Sequence, residues 1–109
     1  MEAVRKLKAS IFQGLAHPTR LAIVELVTEG EMSVGGIMQR LGVEQPTISR
    51  HLAILRAKRI VASRKDGNQV LYSLRDPILK RVLDLMRRYT VKHLAEDVSL
   101  LAELEDEKR

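Results

Sequence analysis

The chain has 109 residues, of which 45% are apolar and 30% charged, and its net charge at pH 7 is +5. This length suits one compact domain, or a subunit that completes its core by pairing. The absence of cysteine excludes disulfides, thiolate metal sites and thiol redox switches. The sequence shows neither a long uncharged apolar window nor an N-terminal signal segment, so we expect a cytoplasmic protein with no membrane partner.

Two helices are predicted at the start of the chain. The first covers residues 1–15 and carries Val4, Leu7, Ile11, Phe12 and Leu15 on one face. The second opens at His17-Pro18, because proline is tolerated in a first helical turn, and it ends before Gly30. It is apolar on most of its circumference and is expected to be central. We expect His17 to be a helix-entry residue rather than a metal ligand.

Residues 33–57 predict a helix-turn-helix. Ser33 is suited to cap a helix that Gly42 can end, and Gln45-Pro46 then starts a second helix. In that helix Ile48, Leu52 and Leu55 recur at i, i+4 and i+7, which indicates a stripe facing a core. The opposite face carries short polar and cationic side chains able to approach base edges and phosphates: Gln45, Thr47, Ser49, Arg50, Ala53 and Arg56. An ordinary helical hairpin with a polar outer face is the alternative.

A β-hairpin is predicted over residues 60–74. Two β-prone runs, 60–65 and 69–74, flank the turn signal Asp66-Gly67-Asn68. A hairpin that follows a helix-turn-helix is typical of a wing, and Arg64, Lys65, Asn68 and Gln69 near its tip could reach the DNA backbone or minor groove. The alternative is a solvated hairpin that only covers the core.

The last predicted helix, residues 76–104, has more apolar surface than a small domain can cover. Asp76 and Pro77 provide its start signal, and residues 105–109 form a charged tail. We therefore predict a homodimer that pairs the first and last helices. The expected interface residues are Val4, Leu7, Ile11, Leu79, Val82, Leu83, Met86 and Tyr89.

Charge and motif content narrow the function. Seven basic residues lie between Arg40 and Lys65, where Glu44 is the only acid. Such a cluster favours a polyanion, although a solvated basic face or a membrane surface would also fit. An enzyme would need a convergent nucleophile, base and electrophile, but cysteine, a glycine-rich phosphate loop and paired carboxylates outside the acidic end are all missing, so we expect no enzyme and no cofactor.

The segments LAHPTRLAIVELV, VEQPTISRHLAILRAKRIV and RKDGNQVLYSL resemble the ArsR family of bacterial winged-helix repressors, in the family's order and spacing. The resemblance implies a mainly α fold with a small β-hairpin: a winged helix-turn-helix with four helices, two strands and a fifth helix. It also implies a homodimer that binds a palindromic double-stranded DNA operator and responds to an effector. Gln45, Thr47, Ser49, Arg50 and His51 would then face DNA, with Arg64, Lys65 and Asn68 in the wing. For His51 the resemblance implies a phosphate contact or a structural hydrogen bond. A winged-helix module that binds protein or RNA is the alternative function.

The family's metal-sensing motifs are incomplete. Ser33-Val34-Gly35 stands where some members carry a Cys-Val-Cys-type motif. His93 and Glu96 match one half of a zinc site between the last helices, but Lys80 and Val82 replace the other half. We therefore expect no metal site, with His93 and Glu96 as weak candidates, and a non-thiol effector such as a small organic molecule.

Overall fold

The computed structural model describes residues 1–108. In chain order it contains α1 (Glu2–Leu15), α2 (Pro18–Val27), β1 (Met32–Ser33), α3 (Val34–Leu41), α4 (Gln45–Ala57), β2 (Val61–Asp66), β3 (Gln69–Leu74) and α5 (Ile78–Glu107). This is the mainly helical winged helix-turn-helix architecture predicted from the sequence. The described chain forms two compact units, residues 1–77 and the segment from Ile78 onward.

The core of the first unit is aliphatic and centres on α2. Ile23 and Val24 of α2 are fully buried, as are Ile37 of α3 and the stripe Ile48, Leu52 and Leu55 of α4. Each such side chain contributes roughly 1.5–3 kcal/mol relative to its exposed state. The prediction that α2 is central and that the α4 stripe faces the core is therefore confirmed.

Local capping follows the sequence signals. The His17 Nδ1 accepts a hydrogen bond from the Thr19 backbone N–H at 3.1 Å, which confirms His17 as a helix-entry residue. The Ser33 Oγ accepts from the Gly36 N–H at 3.1 Å, and Gly42 ends α3 with φ 66°. These caps fix the turn that aims α4.

The sheet has three antiparallel strands in the order β1-β3-β2. The predicted hairpin has two strands, so the sheet contains one strand more than expected. The additional strand pairs Met32 with Tyr72 and Ser33 with Leu71. Two residues are too few to show an alternating pattern, so β1 left no sequence signal. In the wing turn, Asp66 pairs with Gln69, and Gly67 takes φ 62° at the first turn position.

The C-terminus of α4 is a Schellman motif with arginine where glycine is usual. The Ile60 N–H donates to the Leu55 carbonyl oxygen at 2.9 Å, and the Arg59 N–H donates to the Arg56 carbonyl oxygen at 3.0 Å. Arg59 has φ 61°, whereas glycine accounts for the other positive φ values among residues 1–108. A left-handed conformation costs a non-glycine residue roughly 1–2 kcal/mol.

Gly14 allows α1 to approach the corner between α4 and β2. A Cβ at this buried position would lie 2.6 Å from Ile60 Cδ1 and 2.7 Å from Lys58 Cδ. We expect Gly14→Ala to lower the free energy of unfolding by about 1–2 kcal/mol, because overpacking outweighs the gain in helix propensity. Chemical denaturation measures the change.

Gly35→Ala is the matched control for Gly14→Ala. Gly35 is also helical, but the nearest atom to its added Cβ, Ser33 Oγ, is 3.9 Å away, an ordinary contact. This variant should keep or slightly raise stability, since alanine is the better helix former. Equal effects at the two glycines would contradict the packing role of Gly14.

The second unit is the 30-residue helix α5. It begins at Ile78 and continues through residues 105–107, which lie in the segment predicted as a charged tail, because neither glycine nor proline follows Pro77. Val82, Met86 and Tyr89 are exposed in the single chain, and Leu79 and Leu83 are half-buried. Among the described helices none is long and apolar enough to cross a membrane.

Candidate nucleic-acid interface

The outer face of α4 is polar, small and accessible. Gln45, Arg50 and Arg56 are exposed, and Thr47 and Ser49 are half-buried. The buried stripe on the other side fixes the rotation of the helix, so these side chains cannot turn inward. Arg50 and Arg56 are about 120° apart around the helix axis and lie on opposite flanks of this face. Ala53, which is exposed between them, leaves room for the edge of a base or a sugar.

A shallow open cavity of about 450 Å³ joins this face to the wing. Ser49, Ala53, Arg56 and Ala57 line it from α4, and Tyr72 lines it from β3. Tyr72 could not be recognised from the sequence as part of this face, because its place beside α4 depends on how β3 packs. The only signal was its position in an alternating strand.

His51 does not lie on the outer face. Its side chain is only 5% exposed, so the expectation that His51 faces DNA is wrong. The residue is adjacent to Leu52 on the inner side of α4, where the helix turns its core stripe toward α2. The alternative role that the resemblance implied, a structural hydrogen bond, agrees with its contacts.

Arg20 contacts both His51 and the end of α1. Its Nε donates to the Gly14 carbonyl oxygen at 2.6 Å and its Nη2 donates to the Gln13 carbonyl oxygen at 3.2 Å. Both carbonyls lie in the last turn of α1. The Gln13 carbonyl also accepts from the Ala16 N–H at 3.2 Å, whereas the Gly14 carbonyl has no i+4 donor because residue 18 is proline. The Arg20 Nη1 lies 3.3 Å from His51 Nδ1, and the His17 and His51 rings are 4.4 Å apart. One guanidinium thus ties the end of α1 to α4, the candidate DNA-reading helix.

The protonation state of His51 follows from this geometry. A guanidinium can only donate, so His51 Nδ1 accepts and the neutral ring carries its proton on Nε2. Burial, and then the nearby His17, Arg20 and Arg50, lower the pKa of His51 below its ordinary value of 6.5.

We expect the free energy of unfolding to fall as the pH drops from about 7.5 to 5.5. The unfolded chain binds a proton at His51 near its ordinary pKa, whereas the folded chain resists protonation until lower pH, so protons favour unfolding. Urea denaturation at several pH values measures this slope. His51→Gln should flatten it, and the exposed-site control His93→Gln should not. An equal slope in all three proteins would contradict the assignment to His51.

The wing cation Arg64 already has an acidic partner. Its Nε and Nη2 donate to the two carboxylate oxygens of Glu31 at 2.7 and 2.9 Å. This bond lowers the pKa of Glu31 and raises that of Arg64. A phosphate at Arg64 would therefore have to compete with Glu31. Lys65 and Asn68 are exposed nearer the turn. Nothing in the sequence indicated the pairing with Glu31, which is 33 residues away.

The weak metal candidates lie on α5. The His93 Nε2 is 3.7 Å from Asp97 Oδ2, and both side chains are exposed. Within residues 1–108 no three histidine, cysteine, aspartate or glutamate side chains are grouped as a metal site would require.

Comparison with known proteins agrees with this architecture. Residues 17–63, which span α2 to the start of β2, match the model of the bacterial regulatory protein arsR family. The HTH-type transcriptional regulator Rv0081 of Mycobacterium tuberculosis is 38% identical over 104 residues, 94% of this chain and 91% of that protein. Its crystal structure gives a TM-score of 0.80 and covers 87% of this chain and 96% of that one.

Two further solved structures share the fold. The transcriptional repressor BigR from Xylella fastidiosa is 35% identical with a TM-score of 0.73, over 84% of this chain and 91% of that chain. A homodimeric winged helix-turn-helix DNA-binding domain from Mycobacterium bovis is 27% identical with a TM-score of 0.80, over 85% and 86% of the two chains. Because the arsR match extends from His17 through α4 and a regulator 38% identical to this chain aligns over 94% of it, the chain belongs to the arsR family of winged helix-turn-helix regulatory proteins.

Proposed function

We propose that this regulator is a sequence-specific DNA-binding repressor that acts as a homodimer on a palindromic operator. The observation that carries the proposal is the outer face of α4. It presents Gln45, Ser49 and Arg50 on a helix whose rotation is fixed by a fully buried stripe. These side chains can donate to or accept from base edges in the major groove, which is how sequence is read directly. BigR is itself named as a transcriptional repressor.

The remaining groups supply affinity rather than specificity. Arg56 at the flank of α4 and Lys65 and Asn68 in the wing can contact phosphates and fix the register of the helix. Arg64 would join them after release from Glu31. Phosphate contacts release counterions, so binding should weaken with salt. A repressor bound in this way would block transcription by occupying its operator. Since that target is chromosomal DNA, the proposed location is the cytoplasm.

A two-fold dimer suits both the chain and its target. Val4, Leu7 and Ile11 of α1 and Val82, Met86 and Tyr89 of α5 are 39–69% exposed in the single chain, which leaves apolar surface for a partner subunit. The related domain from M. bovis is described as homodimeric. Two-fold symmetry would set two reading helices about 34 Å apart, one turn of DNA, which requires a palindromic site.

The effector cannot be bound through cysteine thiolates, because the chain has no cysteine. Ser33 is engaged in capping α3, and it offers a hydroxyl where thiophilic-ion sensors of the family place a sulfur. We therefore propose a small-molecule effector and no enzymatic activity. The relatives described above are named as regulators or repressors.

Selection of bound duplexes from a random-sequence DNA pool tests the proposal. The winning duplex is then titrated at fixed salt, with and without zinc. We expect a palindromic winner that a dimer binds with or without zinc. Failure to enrich any sequence would contradict the proposal and favour a module that binds protein or RNA. Zinc-dependent release would instead indicate a zinc site, for which His93 and Glu96 are the first candidate ligands.

A further inference from the structure

A second cavity lies at the C-terminal end of α4, and Ala57 lines both it and the cavity beside the wing. It has a volume of about 500 Å³ and lies between α1 and the last turn of α4, within residues 1–77. Leu7 and Ile11 of α1 line one wall, and Ile54 and Ala57 of α4 line the other. Its size and its mainly apolar walls are typical of small-molecule sites.

Two cations stand at one end of this cavity. Lys58 and Arg59 are consecutive, and the lining residues include no acid. The Lys58 Nζ donates to Ser10 Oγ at 3.0 Å. An ammonium has three donors, so this bond leaves two for a ligand. A cavity with an apolar body and a cationic end is complementary to an amphiphile with a single negative head.

The backbone conformation of Arg59 independently supports a ligand site at this end of the cavity. Arg59 occupies the left-handed position of the Schellman motif, where glycine would relieve the backbone. Interaction with the dipole at the end of α4 does not require this conformation, because Arg56 also places a cation in the last turn with ordinary helical geometry. The unfavourable backbone conformation of Arg59 is explained if its guanidinium binds a ligand in the cavity.

We propose that this cavity binds a monocarboxylate with an apolar body, and that Lys58 and Arg59 hold the carboxylate. A guanidinium offers two parallel donors to the two carboxylate oxygens, and the ammonium adds a point charge. The apolar body lies against Leu7, Ile11 and Ile54, so it shares Leu7 and Ile11 with the proposed dimer interface and lies beside the partner subunit. A ligand in this position contacts both α1 and the last turn of the reading helix. If the proposed function holds, such a ligand is placed to act as the effector.

NMR titration of the ¹⁵N-labelled full chain tests the binding without DNA. The probes are octanoate, 1-octanol and octyltrimethylammonium, which share a chain and differ in head charge. We expect octanoate to cause saturable shifts in α1 and at residues 54–60, with an affinity at least tenfold above that of octanol. The cationic probe should leave these signals unchanged. Equal affinity for octanoate and octanol, or shifts confined to the apolar face of α5, would overturn the proposal.

Two variants at one position separate charge from backbone conformation. Arg59→Gln removes the cation and keeps a side chain in the strained conformation, and Arg59→Gly removes both the cation and the strain. Both variants should lower the affinity for octanoate at least fivefold and leave the affinity for octanol unchanged. Arg40→Gln, an exposed arginine on α3, is the control and should bind octanoate as the parent does. Unchanged octanoate binding in both Arg59 variants would refute the site.

The DNA arm distinguishes the two proposals. Octanoate is added to the complex with the selected duplex. A chain that binds octanoate but enriches no duplex would contradict the proposed function and leave the cavity assignment intact. A chain that binds its operator but not octanoate would contradict the cavity assignment and leave the proposed function intact.

Discussion

Replacing Arg20 with methionine is expected to lower the free energy of unfolding by about 2–4 kcal/mol. Methionine keeps much of the apolar stem but removes the donors that serve the Gly14 and Gln13 carbonyls and His51 Nδ1. The Gly14 carbonyl oxygen and His51 Nδ1 would lose this donor in a partly buried site, and an unsatisfied acceptor there costs more than the hydrogen bond itself contributed. Urea denaturation followed by circular dichroism measures the loss.

Arg5→Met is the matched control for Arg20→Met. Arg5 lies on α1 and forms an exposed ion pair with Glu2 at 3.4 Å. Exposed pairs of this kind contribute little, so stability should change by less than about 1 kcal/mol. A loss in Arg20→Met no larger than in Arg5→Met would contradict the view that Arg20 ties α1 to α4. Arg20→Met should also weaken the pH dependence assigned to His51, because a cation that lowers its pKa is gone.

Replacing Arg50 with alanine is expected to cost about 1–3 kcal/mol of operator binding and to relax the base preference at one position in each half-site. Arg50 is exposed on the outer face of α4, where a guanidinium can pair with the edge of a guanine. Competition binding with duplexes that differ at single positions measures the change. Stability should be unaffected, since this side chain is outside the core. A loss that is uniform across all duplexes would make Arg50 a phosphate contact instead.

Lys65→Ala provides the comparison for Arg50→Ala. Lys65 is an exposed cation of the wing, so its loss should weaken specific and nonspecific duplexes alike and reduce the salt dependence of binding by about one unit. An unchanged salt dependence would remove Lys65 from the interface. The two variants together separate base reading from backbone binding.

Much of this protein was predictable from local pattern. The 3.6-residue stripe of Ile48, Leu52 and Leu55, the alternation after residue 60 and the caps at His17, Ser33 and Gly42 are encoded within a few residues of where they act. Local backbone preference and hydrophobic period suffice to specify such elements. For this reason the helix order, the wing and the polar outer face of α4 followed from the sequence, and the family resemblance was confirmed.

What the sequence did not reveal depends on contacts between distant segments. The family resemblance implied that His51 faces DNA, yet this side chain turns inward to meet Arg20, which is 31 residues earlier. Glu31 pairs with Arg64 across 33 residues, and Gly14 makes room for Ile60. None of these pairs has a periodic signature, since each results from how packed elements bring their surfaces together.

The sequence by itself therefore determined the kind of molecule: a basic, cysteine-free winged helix in which α4 has a polar outer face. Only the tertiary structure decided which polar groups serve the interior and which remain available to a partner. Helical period assigns a residue to a face of its own helix, but burial and hydrogen bonding depend on what lies opposite that face. That information is carried by the packed fold, where Arg20 reaches His51, Tyr72 lies beside α4, and Lys58 and Arg59 share one cavity.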